Sequence, residues 1–300
     1  MKKMLSLALT MTLALSLAAC GNGSSSSSAG SSAADASGSS SQADVSSSST
    51  SSSSSTPEVV DDVTTVTEKG SLVVGITNFE PMDYQDENGE WIGFDADMAK
   101  QFAEYLGVEA EFVEINWDYK VMELEAGNLD VVWNGMTLTD EVLSSMATSN
   151  PYCTNYQTLV GRADRAAEFE GLTSLEGLNV AVESGSAGED AAEALGAATV
   201  PVQAQSNTLM EVSAGTSDAA VIDVLMAAAM TGEGTNYADL TSVLNLNELQ
   251  DEDEEYYGVG FRQGSNLVDE FNTFWSEKVA DGTVLEVATT YGLQDAVVLE

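Results

Sequence analysis

A regular alternation of strand-like and helix-like segments, from about Lys69 to the end, most constrains the fold of this 300-residue chain. Leu72–Ile76 is a short apolar run of the kind that forms a buried strand. Met98, Phe102 and Leu106 follow at four-residue spacing, which predicts a helix with one apolar stripe. Strands that alternate with helices in this way pair in parallel and carry helices on both faces of the sheet. The sequence therefore predicts an α/β fold with doubly wound sheets.

The alternation continues after residue 175 and supplies a second, similar set of elements. The predicted strands are Glu109–Ile115, Asp130–Trp133, Asn179–Glu183, Thr199–Val202 and Ala219–Ile222. The predicted helices are one containing Val121, Leu124 and Leu129, then Gly188–Leu195, Asn207–Ala214 and Val224–Met230. Roughly 230 residues are more than one doubly wound layer needs and suit two lobes. Because open sheets bind ligands beyond the carboxyl ends of their strands, we expect a solute site in a cleft between the lobes.

The first 20 residues predict export from the cytoplasm. A basic start at Lys2 and Lys3, an apolar stretch over Leu5–Leu17 and small residues before Cys20 are typical of a secretory signal. This segment resembles the signal of bacterial lipoproteins. The resemblance implies a signal peptide over 1–19, a lipid on the Cys20 sulfur, and anchoring at the extracytoplasmic face of the cell membrane. An ordinary signal peptide followed by a chance cysteine is the alternative.

A serine-rich segment over Gly21–Thr56 follows the proposed lipid site. Such a composition cannot bury enough apolar surface to offset the entropy of ordering the chain. We therefore expect a disordered tether over 20–67 that connects the lipidated cysteine to the folded body.

Composition excludes several functions. The formal net charge is −40, from 49 acidic and 9 basic residues, so we expect no nucleic-acid partner. The chain contains no histidine, which excludes Ser-His-Asp and Cys-His catalysis and any histidine metal site. No cofactor and no metal are expected. If Cys20 carries a lipid, Cys153 is the remaining cysteine and no disulfide is implied.

Five blocks of sequence resemble the solute-binding proteins of polar amino-acid ABC importers, family 3 of these bacterial proteins. In chain order they are Gly70–Gly75 with Glu80-Pro81 and Gly89–Asp97, then Gly127–Thr139, Val180–Ala187, Tyr257–Arg262 and Asp281–Thr283. The resemblance implies a type II periplasmic-binding-protein fold: lobe 1 over 68–157 and 257–300, lobe 2 over 158–256, and a two-stranded hinge near Tyr156–Thr158 and Tyr256–Gly258. It also implies a monomer that closes on a solute and docks on the permease and ATPase subunits of an ABC transporter.

The resemblance also implies where the solute binds. The carboxylate of Asp223 would bind the ammonium group of an amino acid. The turn at Gly185 and Ser186 would bind the carboxylate through N–H groups at a helix start. The other implied contact residues are Phe79, Trp117, Gly135, Met136 and Thr137. From the residues alone, Asp223 and Ser186 could instead be helix caps, and Phe79 and Trp117 could belong to the core.

One position departs from the family pattern. The family usually carries an arginine five residues after the position of Thr137, where its planar guanidinium group binds the ligand carboxylate. This chain has Val142 there, and the nearest cation in sequence is Lys120. The pattern leaves open whether Lys120 or Glu183 faces the cleft. Either the solute is an amino acid bound with reduced affinity, which we prefer, or it lacks a free carboxylate, as an amine does.

These observations predict a substrate-binding lipoprotein of an ABC transporter, not an enzyme. It would capture an amino acid or related small polar solute and deliver it to the permease. The alternatives are a receptor for an amine or other solute without a free carboxylate, a dehydratase-like enzyme on the same fold, and a sensor for a signalling partner. The sequence suggests no pair of acids placed for dehydratase chemistry, and no fused kinase.

Overall fold

The computed structural model describes residues 59–299. The predictions for the signal peptide, for the lipidation of Cys20 and for most of the tether lie outside the described residues.

Strands and helices alternate through most of the described chain, as the sequence predicts. The strands are β1 Ser71–Ile76, β2 Tyr84–Gln85, β3 Trp91–Ile92, β4 Glu109–Glu114, β5 Val131–Thr137, β6 Ala147–Thr148, β7 Cys153–Asn155, β8 Gln157–Arg162, β9 Asn179–Glu183, β10 Ala198–Val202, β11 Ala219–Asp223, β12 Leu240–Asn245 and β13 Glu255–Phe261. The α-helices are α1 Asp62–Lys69, α2 Phe94–Leu106, α3 Lys120–Glu125, α4 Asp140–Ser145, α5 Ala187–Ala194, α6 Gln205–Ala214, α7 Val224–Met230, α8 Leu246–Gln250, α9 Leu267–Ala280 and α10 Thr283–Thr290.

Two main sheets form the cores of two lobes. Lobe 1 has the strand order β4-β1-β5-β13-β6, with β7 also paired to β13. Lobe 2 has the order β10-β9-β11-β8-β12. A separate two-stranded sheet of β2 and β3 belongs to lobe 1. The predicted division into two lobes is therefore present in the described residues.

The sheets are mixed, and the expectation of parallel sheets is wrong for two strands. β1, β4 and β5 are parallel, as are β9, β10 and β11. In contrast, β8 is antiparallel to β11, and β13 is antiparallel to β5. Both of these strands start at the hinge and run away from it, whereas β5 and β11 run towards the hinge. The double crossing between lobes therefore requires one reversed strand in each sheet.

The chain crosses between the lobes twice. Tyr156 alone separates β7 of lobe 1 from β8 of lobe 2, close to the first expected crossing. The second crossing comes earlier than the expected Tyr256–Gly258, because Glu255 already pairs with Asn155 in the lobe 1 sheet. The return to lobe 1 therefore lies within residues 251–254.

The folded body also begins earlier than residue 68. Helix α1 lies inside the segment expected to be a disordered tether. Its N-cap is Asp61, whose carboxylate accepts a hydrogen bond from the Thr64 N–H at 3.2 Å. Val66 is buried, and Asp62 accepts a hydrogen bond from the Arg262 guanidinium at 2.7 Å. These contacts attach α1 to lobe 1, which is why the tether prediction is wrong for these residues.

Aromatic packing holds β5 in place, and β5 carries part of the candidate site. Trp133 is fully buried, and its ring lies edge-on to Phe271 of α9 with centroids 4.9 Å apart. Tyr152 and Trp275 pack against the same cluster. No helix of the described residues is long and apolar enough to cross a membrane.

Candidate functional site

A cavity lies between the lobes, where the carboxyl ends of β5, β9 and β11 meet. Its volume is about 480 Å³ when the open solvent at its mouth is included. The residues that line it are Phe79, Trp117, Lys120, Asn134, Gly135, Met136, Thr137, Thr139, Glu141, Val142, Glu183, Gly185, Ser186, Ala187, Asp190, Gln205 and Asp223. The position matches the expected place for a ligand in open α/β sheets. Within residues 59–299 no cluster of acidic or cysteine side chains is arranged to hold a metal.

The cavity brings together every residue that the sequence predicted to bind solute. The predicted residues Phe79, Trp117, Gly135, Met136, Thr137, Gly185, Ser186 and Asp223 all line it. They come from segments that are distant in sequence, and only the two-lobed topology places them around one space. Their contact with a solute remains a prediction.

Asp223 is buried at the end of β11 and is surrounded by amide groups. Its Oδ1 accepts hydrogen bonds from the side chains of Asn155 and Gln157, the latter at 3.0 Å. Its Oδ2 accepts one from Gln205, and it makes no side-chain capping bond to α7. Burial, and then the nearby Glu255 carboxylate, raise the pKa of Asp223 to about 6. The helix-cap alternative for its side chain is therefore wrong.

Ser186 does cap a helix, which changes the interpretation of the predicted carboxylate site. Its hydroxyl accepts a hydrogen bond from the Glu189 N–H at 3.1 Å. The Glu189 carboxylate returns to accept from the Gly185 N–H at 2.7 Å. This reciprocal pair is a capping box shifted by one residue, because Glu189 accepts from the residue before the N-cap, and a carboxylate of the chain itself therefore occupies one donor before α5.

Gly135 is fixed in a conformation that favours glycine. Its φ is +56°, and a Cβ atom at this position would lie 2.5 Å from Phe79 Cε1. Its N–H donates to the buried carboxylate of Asp95 at 2.7 Å, and the Tyr152 hydroxyl donates to the same oxygen at 2.7 Å. Asp95 therefore fixes the backbone of Gly135 in the cavity wall. No sequence motif predicted this contact.

The other side chains that were predicted to contact the solute also contact other side chains of the protein. The Thr137 hydroxyl donates to Glu255 at 3.3 Å. Phe79 lies edge-on to Tyr257, with ring centroids 6.3 Å apart. Trp117 lines the cavity but also packs in a buried apolar cluster with Met136. Trp117 therefore belongs to the core, as the alternative held, and also lines the cavity; its contact with a solute stays a prediction.

Lys120 faces the cavity and contacts both lobes. Its ammonium group donates to the Gly185 carbonyl of lobe 2 at 2.9 Å and lies 4.9 Å from the Trp117 ring centroid. Desolvation lowers its pKa from the usual lysine value. Val142 is buried and also lines the cavity. The missing arginine would therefore have projected from the cavity wall.

Glu183 is a deeply buried acid that the sequence left unassigned. It ends β9, lines the cavity and is 3% exposed. No donor within residues 59–299 makes a hydrogen bond to its Oε1. Burial, and then the charge of Asp223, raise the pKa of Glu183 to about 8.

Three side chains around Asp223 were missed by the sequence interpretation. Asn155 and Gln157 flank the first hinge crossing, and Gln205 begins α6 directly after β10. A weak signal for Gln205 was present, because a polar residue soon after a strand of lobe 2 is visible in the sequence, whereas Asp223 was identified through the family resemblance. The two hinge residues had no such signal, since their position depends on how the lobes are joined.

Comparisons with known proteins agree with this architecture. The sequence pattern of the bacterial extracellular solute-binding proteins, family 3, matches residues 72–294. The chain is 28% identical to the arginine-binding extracellular protein ArtP of Bacillus subtilis over 71% of this chain and 83% of that protein. It is 33% identical to the L-cystine-binding protein TcyJ of Escherichia coli K12, a match that spans 40% of this chain and 46% of that relative.

A solved structure extends the likeness to the fold. The ancestral amino acid-binding protein AncCDT-1, a precursor of cyclohexadienyl dehydratase, is 29% identical, with a TM-score of 0.68 over 77% of this chain and 99% of that one. The predicted type II periplasmic-binding-protein fold is confirmed. With its two lobes, its interlobe cavity and a family match across most of the folded body, this chain belongs to the bacterial extracellular solute-binding proteins, family 3.

Proposed function

We propose that this protein captures an amino acid or a related small polar solute in the interlobe cavity and delivers it to an ABC transporter permease. One observation carries the proposal: Asp223 lies at the cavity with a buried carboxylate whose Oδ2 accepts a single hydrogen bond among the described residues. A carboxylate oxygen can accept two, so one position is available to an ammonium group. A buried charge of this kind favours a cationic partner.

The closed arrangement of the lobes fits a capture mechanism. The Lys120 ammonium group of lobe 1 donates to the Gly185 carbonyl of lobe 2 at 2.9 Å. A solute bound by Asp223 would add contacts to both walls and favour closure, because a ligand shifts a conformational equilibrium by its differential affinity for the two states. The closed form would then dock on the permease.

A receptor for an amine is the second candidate, and the start of α5 favours it. The Glu189 carboxylate occupies the Gly185 N–H, and Val142 replaces the arginine of the family. A solute carboxylate would therefore find fewer donors than an amino-acid receptor normally provides.

Calorimetry on the full-length protein with the 20 amino acids and a panel of small amines tests the function. We expect one class to bind reversibly with one solute per chain, and we expect no product to form. Formation of an aromatic product from a cyclic dienol acid would instead support a dehydratase.

Replacing Val142 by arginine is expected to raise the affinity for free α-amino acids about tenfold or more. A guanidinium group at this wall position can donate to a ligand carboxylate, and such charged hydrogen bonds contribute roughly 1.5–3 kcal/mol. Calorimetric titration of the Val142→Arg and Val142→Leu variants would measure the change. Equal affinities in the two variants would contradict this interpretation of the family departure.

Replacing Cys20 by serine is expected to release the protein from the membrane. We propose that lipid on Cys20 anchors it at the extracytoplasmic face. No helix of the described residues is suited to span the membrane. Cell fractionation and labelling with radioactive palmitate would compare the Cys20→Ser and Cys153→Ser variants. Membrane association that is unchanged in Cys20→Ser would contradict the anchor.

A further inference from the structure

We propose that Glu183 is a second solute-binding carboxyl group and that the solute carries two cationic groups and no free carboxylate. Small diamines and guanidino amines have this chemistry. The inference rests on the proposed function and narrows the class of solute.

The sheet of lobe 2 places Glu183 beside Asp223. Strands β9 and β11 are parallel neighbours, with Ala219 opposite Val180 and Ala220 opposite Ala181. Continuing this register brings Ile222 beside Glu183 at the ends of the two strands. Asp223 follows directly, so the two carboxyl groups emerge from adjacent strand ends and line the same cavity.

The carboxyl group of Glu183 is buried and has an unused hydrogen-bond acceptor, as expected of a group that binds a solute. It is more than nine-tenths buried, it lines the cavity, and its Oε1 has no hydrogen-bond donor within residues 59–299. Buried acceptors are almost always paired, and an unpaired one is costly. A cationic group of the solute would supply the missing donor.

The charges on the cavity wall favour a dication. Among the described lining residues, Lys120 carries the single positive charge, against the carboxyl groups of Glu141, Glu183, Asp190 and Asp223. The Lys120 ammonium group already contacts the backbone carbonyls of Gly185 and Trp117. A monocation at Asp223 would leave Glu183 without a partner, whereas a second cation would pair with it.

The surroundings of the start of α5, together with Val142 of lobe 1, disfavour a carboxylate on the solute. The capping box places the Glu189 carboxylate on the Gly185 N–H at 2.7 Å, where the solute carboxylate would otherwise bind. Val142 supplies no charge at the position of the family arginine, and Asp190 follows in the first turn of α5. A free carboxylate here would face the carboxylates of Glu189 and Asp190, which repel it, and Lys120 would be its one cationic neighbour among the described lining residues.

Matched solute pairs test the proposal by titration calorimetry on the full-length protein after dialysis to remove bound solutes. Agmatine and cadaverine are the probes, and L-arginine and L-lysine are the same skeletons with a carboxylate. n-Butylamine supplies a single cation. We expect each dication to bind at least tenfold more tightly than its amino acid and at least tenfold more tightly than n-butylamine.

The Glu183→Gln variant tests the residue assignment. It is expected to weaken agmatine binding at least tenfold while changing n-butylamine binding less than threefold. Glu176→Gln is the matched control, because Glu176 is exposed in the same lobe and outside the cavity, and it should leave both affinities unchanged. Circular dichroism and the thermal midpoint would establish that both variants fold.

The outcomes separate this inference from the proposed function. Tighter binding of L-arginine than of agmatine would overturn the inference and leave the proposed function standing. An equal loss for agmatine and n-butylamine in Glu183→Gln would overturn the role of Glu183. If no amino acid and no amine binds, both proposals are wrong.

Discussion

Replacing Asp223 by asparagine is expected to weaken solute binding at least a hundredfold. The carboxylate is buried, and an ammonium group brought into the cavity would lose its hydration without gaining a charged partner. Removing one partner of a buried ion pair costs about 3–5 kcal/mol, and every 1.4 kcal/mol is a factor of ten in affinity. Calorimetric titration with the best solute from the panel would measure the loss.

The surroundings of Asp223 make a matched control necessary. The side-chain amides of Asn155, Gln157 and Gln205 all donate hydrogen bonds to its carboxylate. In Asp223→Asn, the new NH2 group would face at least one of these NH2 groups, and neither could accept a hydrogen bond from the other. A loss of folding could therefore imitate a loss of binding. The exposed Asp269 of α9 gives a control, Asp269→Asn, and the thermal midpoints of both variants should be compared. An affinity in folded Asp223→Asn within threefold of the original would contradict the assignment.

The stability of the solute-free protein is expected to fall with rising pH because of Glu183. The pKa of its carboxyl group is about 8 in the folded protein and near 4.5 when exposed. Between these values the folded state holds the proton that the unfolded state has lost, so raising the pH favours unfolding. Each pKa unit corresponds to 1.36 kcal/mol, so the contribution amounts to roughly 3 kcal/mol between pH 5 and pH 8.

The Glu183→Gln variant isolates this effect, since glutamine has no proton to lose. Urea unfolding would measure the free energy of unfolding of both proteins at pH 5 and at pH 8. Between these pH values the original chain should lose about 3 kcal/mol more stability than the variant. The charged groups that act on Glu183 are Asp223 from β11 and Lys120 from α3, and Asp190 and Glu141 also line the cavity. All four remain in the variant. A difference that does not change with pH would contradict this account.

A bound dication would reverse the pH dependence. A cationic group beside Glu183 favours the ionised carboxylate, so solute binding should release a proton near pH 7 and strengthen as the pH rises. As the pH rises, the stability of the solute-free protein would then fall, while the additional stability that the solute provides would increase. A purely structural role of Glu183 would not produce these opposite changes.

Local periodicity was sufficient to predict about half of the strands and α-helices of the described residues, among them the parallel strands of both sheets. The apolar run before Thr77 and the four-residue spacing through Leu106 predicted β1 and α2 within one or a few residues of their observed bounds. Periodicity failed at the hinge, where strand direction depends on which lobe a strand has just left. It also failed at α1, because serine-rich composition ends before Asp61 while the burial of Val66 depends on lobe 1.

The sequence by itself determined the family, the two lobes and the predicted solute contacts, because these depend on short motifs at the ends of strands. Only the tertiary structure decided which of those residues already form hydrogen bonds with other parts of the chain. Glu189 reaches back to Gly185, and Lys120 crosses to the opposite lobe. The burial of Glu183 was likewise invisible in the sequence, since a carboxyl group becomes a buried, unpaired acceptor only when two lobes enclose it.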